Sequence, residues 1–169
     1  APLVEDMVIR NSWTKVKKIL MGGPDRSSST LSAIRAYGSD LDMNLIIHDA
    51  VRPLVSSRII EDVIVALTSH VAVDTAVPSA DTIIRVSREG NGIVEIPQRK
   101  YLLRGQTPQG FRLATLREAY DLALQDESFE ATDDCGVVVK YLPGTTVHVV
   151  PGDESNIKLT RPEDVYLLE

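Results

Sequence analysis

The sequence predicts an α/β protein, a mostly parallel sheet flanked by helices, on three observations. Short apolar runs of strand length alternate with stretches whose apolar residues recur at helical spacing, the order that crossover connections produce. The run Leu45-Ile46-Ile47 stops at His48-Asp49-Ala50-Val51-Arg52-Pro53, which is how the C-terminal edge of a buried parallel strand opens onto a ligand crevice. Length supplies the third: 169 residues can bury one sizeable core, so residues 1–169 are expected to form one domain.

Taken in order, residues from about Leu3 to Arg10 read as a helix, and Val16 to Met21 as a short strand running into Gly22-Gly23. Ser27 to Tyr37 is the next helix, with Gly38 as its C-cap. After the strand Asn44 to His48, the apolar residues Ile59, Ile60, Val63, Ile64 and Leu67 fall on one helical face. Val71 to Val77 is a strand. Thr82 to Val86 and Ile93 to Pro97, joined by the turn-rich Arg88-Glu89-Gly90-Asn91-Gly92, read as a hairpin arm. Leu113, Leu116, Tyr120 and Ala123 mark another amphipathic helix, and Asp133 to Lys140 a further one with Thr132 as N-cap. Thr146 to Val150 closes the strands. The last helix starts at Thr160-Arg161-Pro162-Glu163, where threonine and glutamate have capping-box spacing and proline sits in the tolerant first turn.

Composition narrows the function classes. With 43% hydrophobic and 25% charged residues the chain is ordinary for a globular protein, and its net charge of -6 argues against broad nucleic-acid or anionic-membrane binding. A small basic pocket for phosphate is compatible with that charge. No run is long and apolar enough to span a bilayer. The single cysteine, Cys135, cannot form an internal disulfide, which suits a reducing cytoplasm; on a helix pattern without a matching histidine it reads as a buried structural thiol.

Several stretches carry chemistry, each with a plainer alternative. Gly22-Gly23-Pro24-Asp25-Arg26-Ser27-Ser28-Ser29 puts flexible backbone and hydroxyls at a helix start, where amides and the helix dipole suit an anion or a base edge. Taken alone, it reads first as a turn and an N-cap. Asp49 suits a hard cation such as Mg²⁺ or a sugar hydroxyl, and Arg52 a phosphate, or the two form a surface ion pair. His48 reads as a packed or hydrogen-bonded residue at the strand end. Arg99, Lys100 and Arg104 around Tyr101 form either a phosphate-facing cluster or a solvated loop. Thr132-Asp133-Asp134 is equally an N-cap followed by first-turn acids, and Lys158 on its own is a solvent-facing lysine.

The ordered set decides between these readings. Gly22-Gly23-x-x-Arg26-x-x-Ser29, His48-Asp49-Ala50-Val51-Arg52-Pro53, Asp81-Thr82, Gln106-Thr107-Pro108-Gln109-Gly110-Phe111, Thr132-Asp133-Asp134 and Asn156-Ile157-Lys158-Leu159-Thr160-Arg161-Pro162-Glu163-Asp164 together resemble the sugar-alcohol-phosphate cytidylyltransferase family. The likeness runs from about Gly22 to the end. It implies a Rossmann-like nucleotidyltransferase fold with a β-hairpin dimerisation arm at about residues 80–105, acting in the cytoplasm as a homodimer on CTP and a polyol phosphate.

The resemblance also implies roles. Gly22, Gly23, Arg26 and Ser29 match a loop that reads the cytosine. Asp49 matches an acid holding Mg²⁺ and nucleotide, Ala50 a backbone contact to nucleotide, and Arg52 a contact to the acceptor. Thr82 and Arg99 match arm positions that reach into the neighbouring subunit's site and grip the acceptor phosphate. Thr107 and Thr132 match acceptor-side hydroxyls, and Lys158 a lysine that steadies the reacting phosphates. In the catalytic group the resemblance thus puts Lys158, Asp49 and Arg99.

One part of the family pattern is not in these 169 residues: an opening strand and a glycine-rich loop with an arginine and a lysine. The chain is therefore expected to be a C-terminal portion of an enzyme, its sheet lacking central strands. The reading of another class is a non-catalytic dimeric module that binds CTP or a partner. Gly105 before Gln106, the stretch Ile96-Pro97-Gln98-Arg99, and Gln109-Gly110-Phe111 are more similar to the branch acting on D-ribitol 5-phosphate, the alternative acceptor being 2-C-methyl-D-erythritol 4-phosphate of isoprenoid synthesis.

Overall fold

A computed structural model describes residues 2–168. A four-stranded sheet organises the chain, in the order β1 (Asn44–Ile47), β5 (Leu103–Arg112), β2 (Ala72–Pro78), β6 (His148–Pro151). Both β1 and β2 pair antiparallel with β5, and β6 pairs parallel with β2. Three strands therefore point the same way and β5 runs against them, which makes two of the three pairings antiparallel and the sheet mixed.

Alternation along the strands sorts side chains between two helical layers. Leu45, Ile47, Ala72 and Phe111 face the larger core with α4 (Leu113–Ala123) and α5 (Asp134–Tyr141), against which α2 (Arg26–Tyr37) also packs. Ile46, Val73 and Val150 face α3 (Ser57–Ala66) and its capping Leu67 on the other side. At Gly110 the helix meets bare backbone: an added Cβ would lie 2.7 Å from Val63 Cγ1 and 2.9 Å from Leu67 Cδ1. The remaining elements are α1 (Pro2–Arg10), and the arm strands β3 (Arg85–Val86) and β4 (Ile93–Glu95), which pair only with each other.

Four expectations change. Val16 to Met21 is not a strand; Lys18 there donates to the Ala36 carbonyl and lies over the Tyr37 ring, so side chains and not a ladder hold the segment to α2. The N-cap of α5 is Asp133, whose carboxylate accepts from Gly136 N at 2.7 Å, not Thr132. At the chain's end the turn is 3-10, Pro162–Leu168, and the capping acid is Asp164, which accepts from Thr160 N and Arg161 N; the tighter repeat brings residue 164, not Glu163, under those amides. The largest change is β5. Gln106 to Phe111 carries no strand expectation, because Gly105, Pro108 and Gly110 interrupt it, yet it lies within the longest strand. The proline is tolerated beside a register shift in β2 between Val73 and Thr75, where a ladder donor is not needed.

Candidate active site

The C-terminal end of β1 and the chain after β6 meet beside the middle of β5. Arg52 N closes a turn onto the Asp49 carbonyl at 2.9 Å, and Leu159 N reaches the Val51 carbonyl at 2.8 Å, so the segment carrying Lys158 is tied to the turn carrying Asp49. Thr107 Oγ1 accepts from Asp49 N at 3.0 Å and lies 3.0 Å from His48 Nδ1; His48 Nε2 lies 3.0 Å from the Arg52 carbonyl. A neutral ring with its proton on Nε2 satisfies both contacts, because the carbonyl can only accept. His48 is thus the hydrogen-bonded strand-end residue its position suggests.

Three cations converge on one carboxylate. Arg26 Nη1 lies 2.9 Å from Asp49 Oδ1, while Lys158 Nζ and Arg52 Nε lie 3.2 and 3.5 Å from Oδ2. Burial pushes the Asp49 carboxyl up, but hydrogen bonds and charge from Arg26 and Lys158 outweigh it and hold the group below the ordinary range. Arg26 is pinned from behind: its Nη2 donates to Asp134 Oδ2 at 3.0 Å, and the Asp134 side chain, fully buried, takes a second bond from Tyr120 Oη at 2.7 Å. Burial alone would make the guanidinium easier to neutralise, and the charges of Asp134 and Asp49 reverse that. Burial beside Asp134 drives the Tyr120 hydroxyl strongly upward.

Arg26, Asp49, Arg52, Thr107, Thr132 and Lys158 line one cleft of about 150 Å³, together with Gly105, Gln106, Gln109 and Asp133. Arg52, Gly105, Gln106 and Lys158 also line a wider adjoining cleft of about 540 Å³, to which Arg104, Asn156 and Arg161 add polar groups. Six of the residues singled out in the sequence are therefore brought together. Gly22, Gly23 and Ser29 sit nearby, where α2 begins. Ser29 Oγ accepts from Gly23 N at 3.1 Å and donates to the Asp25 carbonyl, and a Cβ on Gly23 would lie 2.0 Å from Ser28 Cβ, so only glycine fits. Ala50 is exposed on the turn. Thr82 and Arg99 do not join the cleft: both are exposed on the arm, and Arg99 Nη1 donates to the Ala80 carbonyl.

Sequence reasoning assigned no site role to Asp134, Gln109, Asn156 or Tyr120, although three of them stand inside quoted motifs. The available signal was Asp133 followed directly by Asp134: one acid caps the helix, which leaves the second without a capping task. Cys135 is buried, its thiol pushed up by burial first and by Asp74, Asp133 and Asp134 next, as a structural thiol would be. Among the described residues no group of three or more His, Cys, Asp or Glu is arranged to hold a metal by itself, and no helix is long and apolar enough to cross a membrane.

Comparison with known proteins points to one family. The profile of the family described as 2-C-methyl-D-erythritol 4-phosphate cytidylyltransferase (IspD) matches residues 3–169. A Haemophilus influenzae bifunctional ribulose 5-phosphate reductase/CDP-ribitol pyrophosphorylase is 46% identical over 98% of this chain, which spans 35% of that protein. A Thermobifida fusca 2-C-methyl-D-erythritol 4-phosphate cytidylyltransferase is also 46% identical over 98% of this chain, which spans 68% of it. The crystal structure of the 4-diphosphocytidyl-2C-methyl-D-erythritol synthase from Anaerococcus prevotii superposes with a TM-score of 0.82 at 30% identity, covering 98% of this chain and 78% of that one.

Proposed function

Because the chain belongs to the IspD family of cytidylyltransferases, we propose that it forms the acceptor-side and metal-side part of an enzyme moving CMP from CTP to a polyol phosphate. The observation that carries this reading is the convergence of Arg26, Arg52 and Lys158 on Asp49 at the mouth of two adjoining clefts. Three cations gathered there suit a reaction in which charge builds on phosphate oxygens.

In the proposed reaction an oxygen of the acceptor phosphate attacks the α-phosphorus of CTP. The new P–O bond forms as the bond to the leaving pyrophosphate breaks, and pyrophosphate departs with the electron pair, so no covalent enzyme intermediate is involved. Lys158, half exposed and able to leave Asp49, steadies the reacting phosphates, and Arg52 holds the acceptor phosphate. Gly22, Gly23, Arg26 and Ser29 form the cytosine-reading loop, with Arg26 also orienting Asp49, and Ala50 offers its backbone to the nucleotide. Thr132 faces the acceptor, while Thr107, whose hydroxyl is committed to Asp49 N and His48, sets the Asp49 turn. Mg²⁺ would be held by the Asp49 carboxylate once Lys158 swings away from it, and completed by substrate phosphates, since the described residues offer no cage of carboxylates. Such an ion would neutralise developing phosphate charge.

Thr82 and Arg99 line neither of these two clefts, which supports a homodimer whose arms supply them to each other's acceptor phosphate. As acceptor we propose D-ribitol 5-phosphate, on Gly105 and the Ile96-Pro97-Gln98-Arg99 stretch; 2-C-methyl-D-erythritol 4-phosphate is the competing substrate, and relatives of both names reach 46% identity. Pyrophosphate release from CTP, measured on the parent protein with each acceptor, tests both levels. Release with ribitol 5-phosphate is expected, falling about 100- to 1000-fold in kcat for Lys158→Met. No release with either acceptor would end the proposal, and a strong preference for the erythritol would end its acceptor assignment.

A further inference from the structure

Among the described residues five buried side-chain nitrogen or oxygen atoms lack a hydrogen-bond partner, and four of them belong to residues lining the two clefts: Arg26 Nε, Gln109 Oε1 and Asn156 Oδ1, and also Arg52 Nε, whose one contact is the 3.5 Å ion pair with Asp49 Oδ2. An isolated orphan is an irregularity, but four around one site indicate groups waiting for a ligand. The four divide by chemistry into two donors and two acceptors.

Both amides are locked with the oxygen left over. Gln109 Nε2 donates to Asp74 Oδ1 and to Asp133 Oδ2, each at 2.9 Å. Asp74 Oδ1 already accepts from Thr75 N, and flipping the amide would set its oxygen against two carboxylate oxygens. Asn156 Nδ2 donates to the Thr107 carbonyl at 2.8 Å and to Gln106 Oε1 at 3.2 Å, and Gln106 Oε1 is itself fixed as an acceptor by Asp153 N. Gln109 is 1% exposed and Asn156 not at all, so neither side chain can turn to water.

We propose that Gln109 Oε1 and Asn156 Oδ1 accept hydrogen bonds from substrate hydroxyls, first of all those of the polyol, and so set which polyol phosphate the clefts take. This rests on the reaction proposed above. An acceptor-only oxygen repels phosphate and suits an O–H donor, whereas the two arginine Nε groups suit phosphate oxygens. A ligand with phosphate at one end and a hydroxylated chain at the other satisfies all four. Arg104 and Lys158, each about half exposed, are the lining side chains able to swing outward and admit the hydroxyls. The ribose of CTP carries the same chemistry, and the experiment separates the two sources.

The test compares kcat/KM of the parent protein for ribitol 5-phosphate, for analogues lacking one hydroxyl each, and for dCTP in place of CTP, in wild type, Gln109→Met and Asn156→Ser. Wild type should lose about 100-fold or more on at least one deoxy acceptor, and the matching variant should show a ratio near one, because a buried oxygen built for a hydroxyl rejects the analogue that lacks it. Collapse of the dCTP ratio instead assigns the amide to ribose. Parallel losses on all substrates, with every ratio kept, would overturn the proposal and make both amides scaffold. Where a variant fails to fold, the wild-type series decides: equal rates on every deoxy analogue and on dCTP overturn it. Calorimetric titration with ribitol 5-phosphate and its deoxy analogues reads binding without turnover. Selective binding without turnover would sink the proposed reaction and leave the amide assignment standing; no discrimination in binding would sink the assignment.

Discussion

The cleft and the arm belong to one chain and are held in opposite ways. Around the cleft the charged groups find partners within the chain: Arg26 bridges Asp49 and Asp134, and Arg52 Nη1 also reaches the Asn156 carbonyl at 2.7 Å. On the arm, Ile83, Ile84, Val86, Ile93, Val94 and Ile96 are all exposed, and the two short strands share one exposed ion pair, Arg85 with Glu95. The cleft is organised by its own chain before any ligand arrives. The arm leaves apolar surface open, the surface that the proposed homodimer would cover.

The strongest way to break that contrast is to remove the deepest support of the cleft. Asp134→Ala strands Arg26 Nη2 and the Tyr120 hydroxyl behind the cleft, where Asp134 is fully buried, and breaking a buried pair from one side costs about 3–5 kcal/mol. Urea unfolding of the chain should show that loss. A loss below about 1 kcal/mol, the range of an exposed pair, would mean that the site is wet and the pair unimportant.

The sequence made the arm and the β1 edge legible and hid the support. Leu45-Ile46-Ile47 running into Asp49, Arg52 and Pro53 announces a strand end, and Leu113 to Ala123 announces a helix, because each signal is local. Asp134 and Arg26 stand 108 residues apart, and nothing in either neighbourhood reports the other. β5 was hidden for a different reason: Pro108 and the glycines at 105 and 110 are breakers in isolation. They are acceptable only because a register shift lies opposite the proline and α3 presses on Gly110. The cleft's cations were legible from motif order, whereas its locked amides depend on which way each amide faces, a property of the folded network.

A smaller and more selective test concerns the carboxylates behind Gln109. Burial raises the Asp74 carboxyl above its ordinary range, with the neighbouring Asp133 adding to it despite the Gln109 bond. A raised folded-state pKa means that the group supports folding below its unfolded pKa and loses that support as pH rises through the folded value. Asp74→Asn keeps an oxygen for both Thr75 N and Gln109 Nε2, because both bonds fall on Oδ1, and it removes the repulsion. The variant should therefore melt above wild type at neutral pH, the gap closing as pH drops into the carboxylate range. Asp49 has the opposite sign: its depressed pKa gives stability above the unfolded value that is lost as pH falls through the folded one. An Asp74→Asn protein less stable than wild type at neutral pH would show that the carboxylate is needed as a charge.

The arm predicts the smallest change in the chain and the largest in its association. Ile93 is 61% exposed, so Ile93→Asp removes little of what the chain packs against itself and should alter unfolding by no more than about 0.5 kcal/mol. If that isoleucine meets a second copy, the same substitution places an unpaired charge in an apolar interface, and sedimentation should shift from dimer toward monomer. Turnover by the parent protein should fall with it, because Thr82 and Arg99 then lose their proposed route to a cleft, while CTP binding, which the proposal places within one subunit, persists. A dimer that survives Ile93→Asp intact would mean that the arm does not hold the copies together, and Arg99 would lose its proposed role.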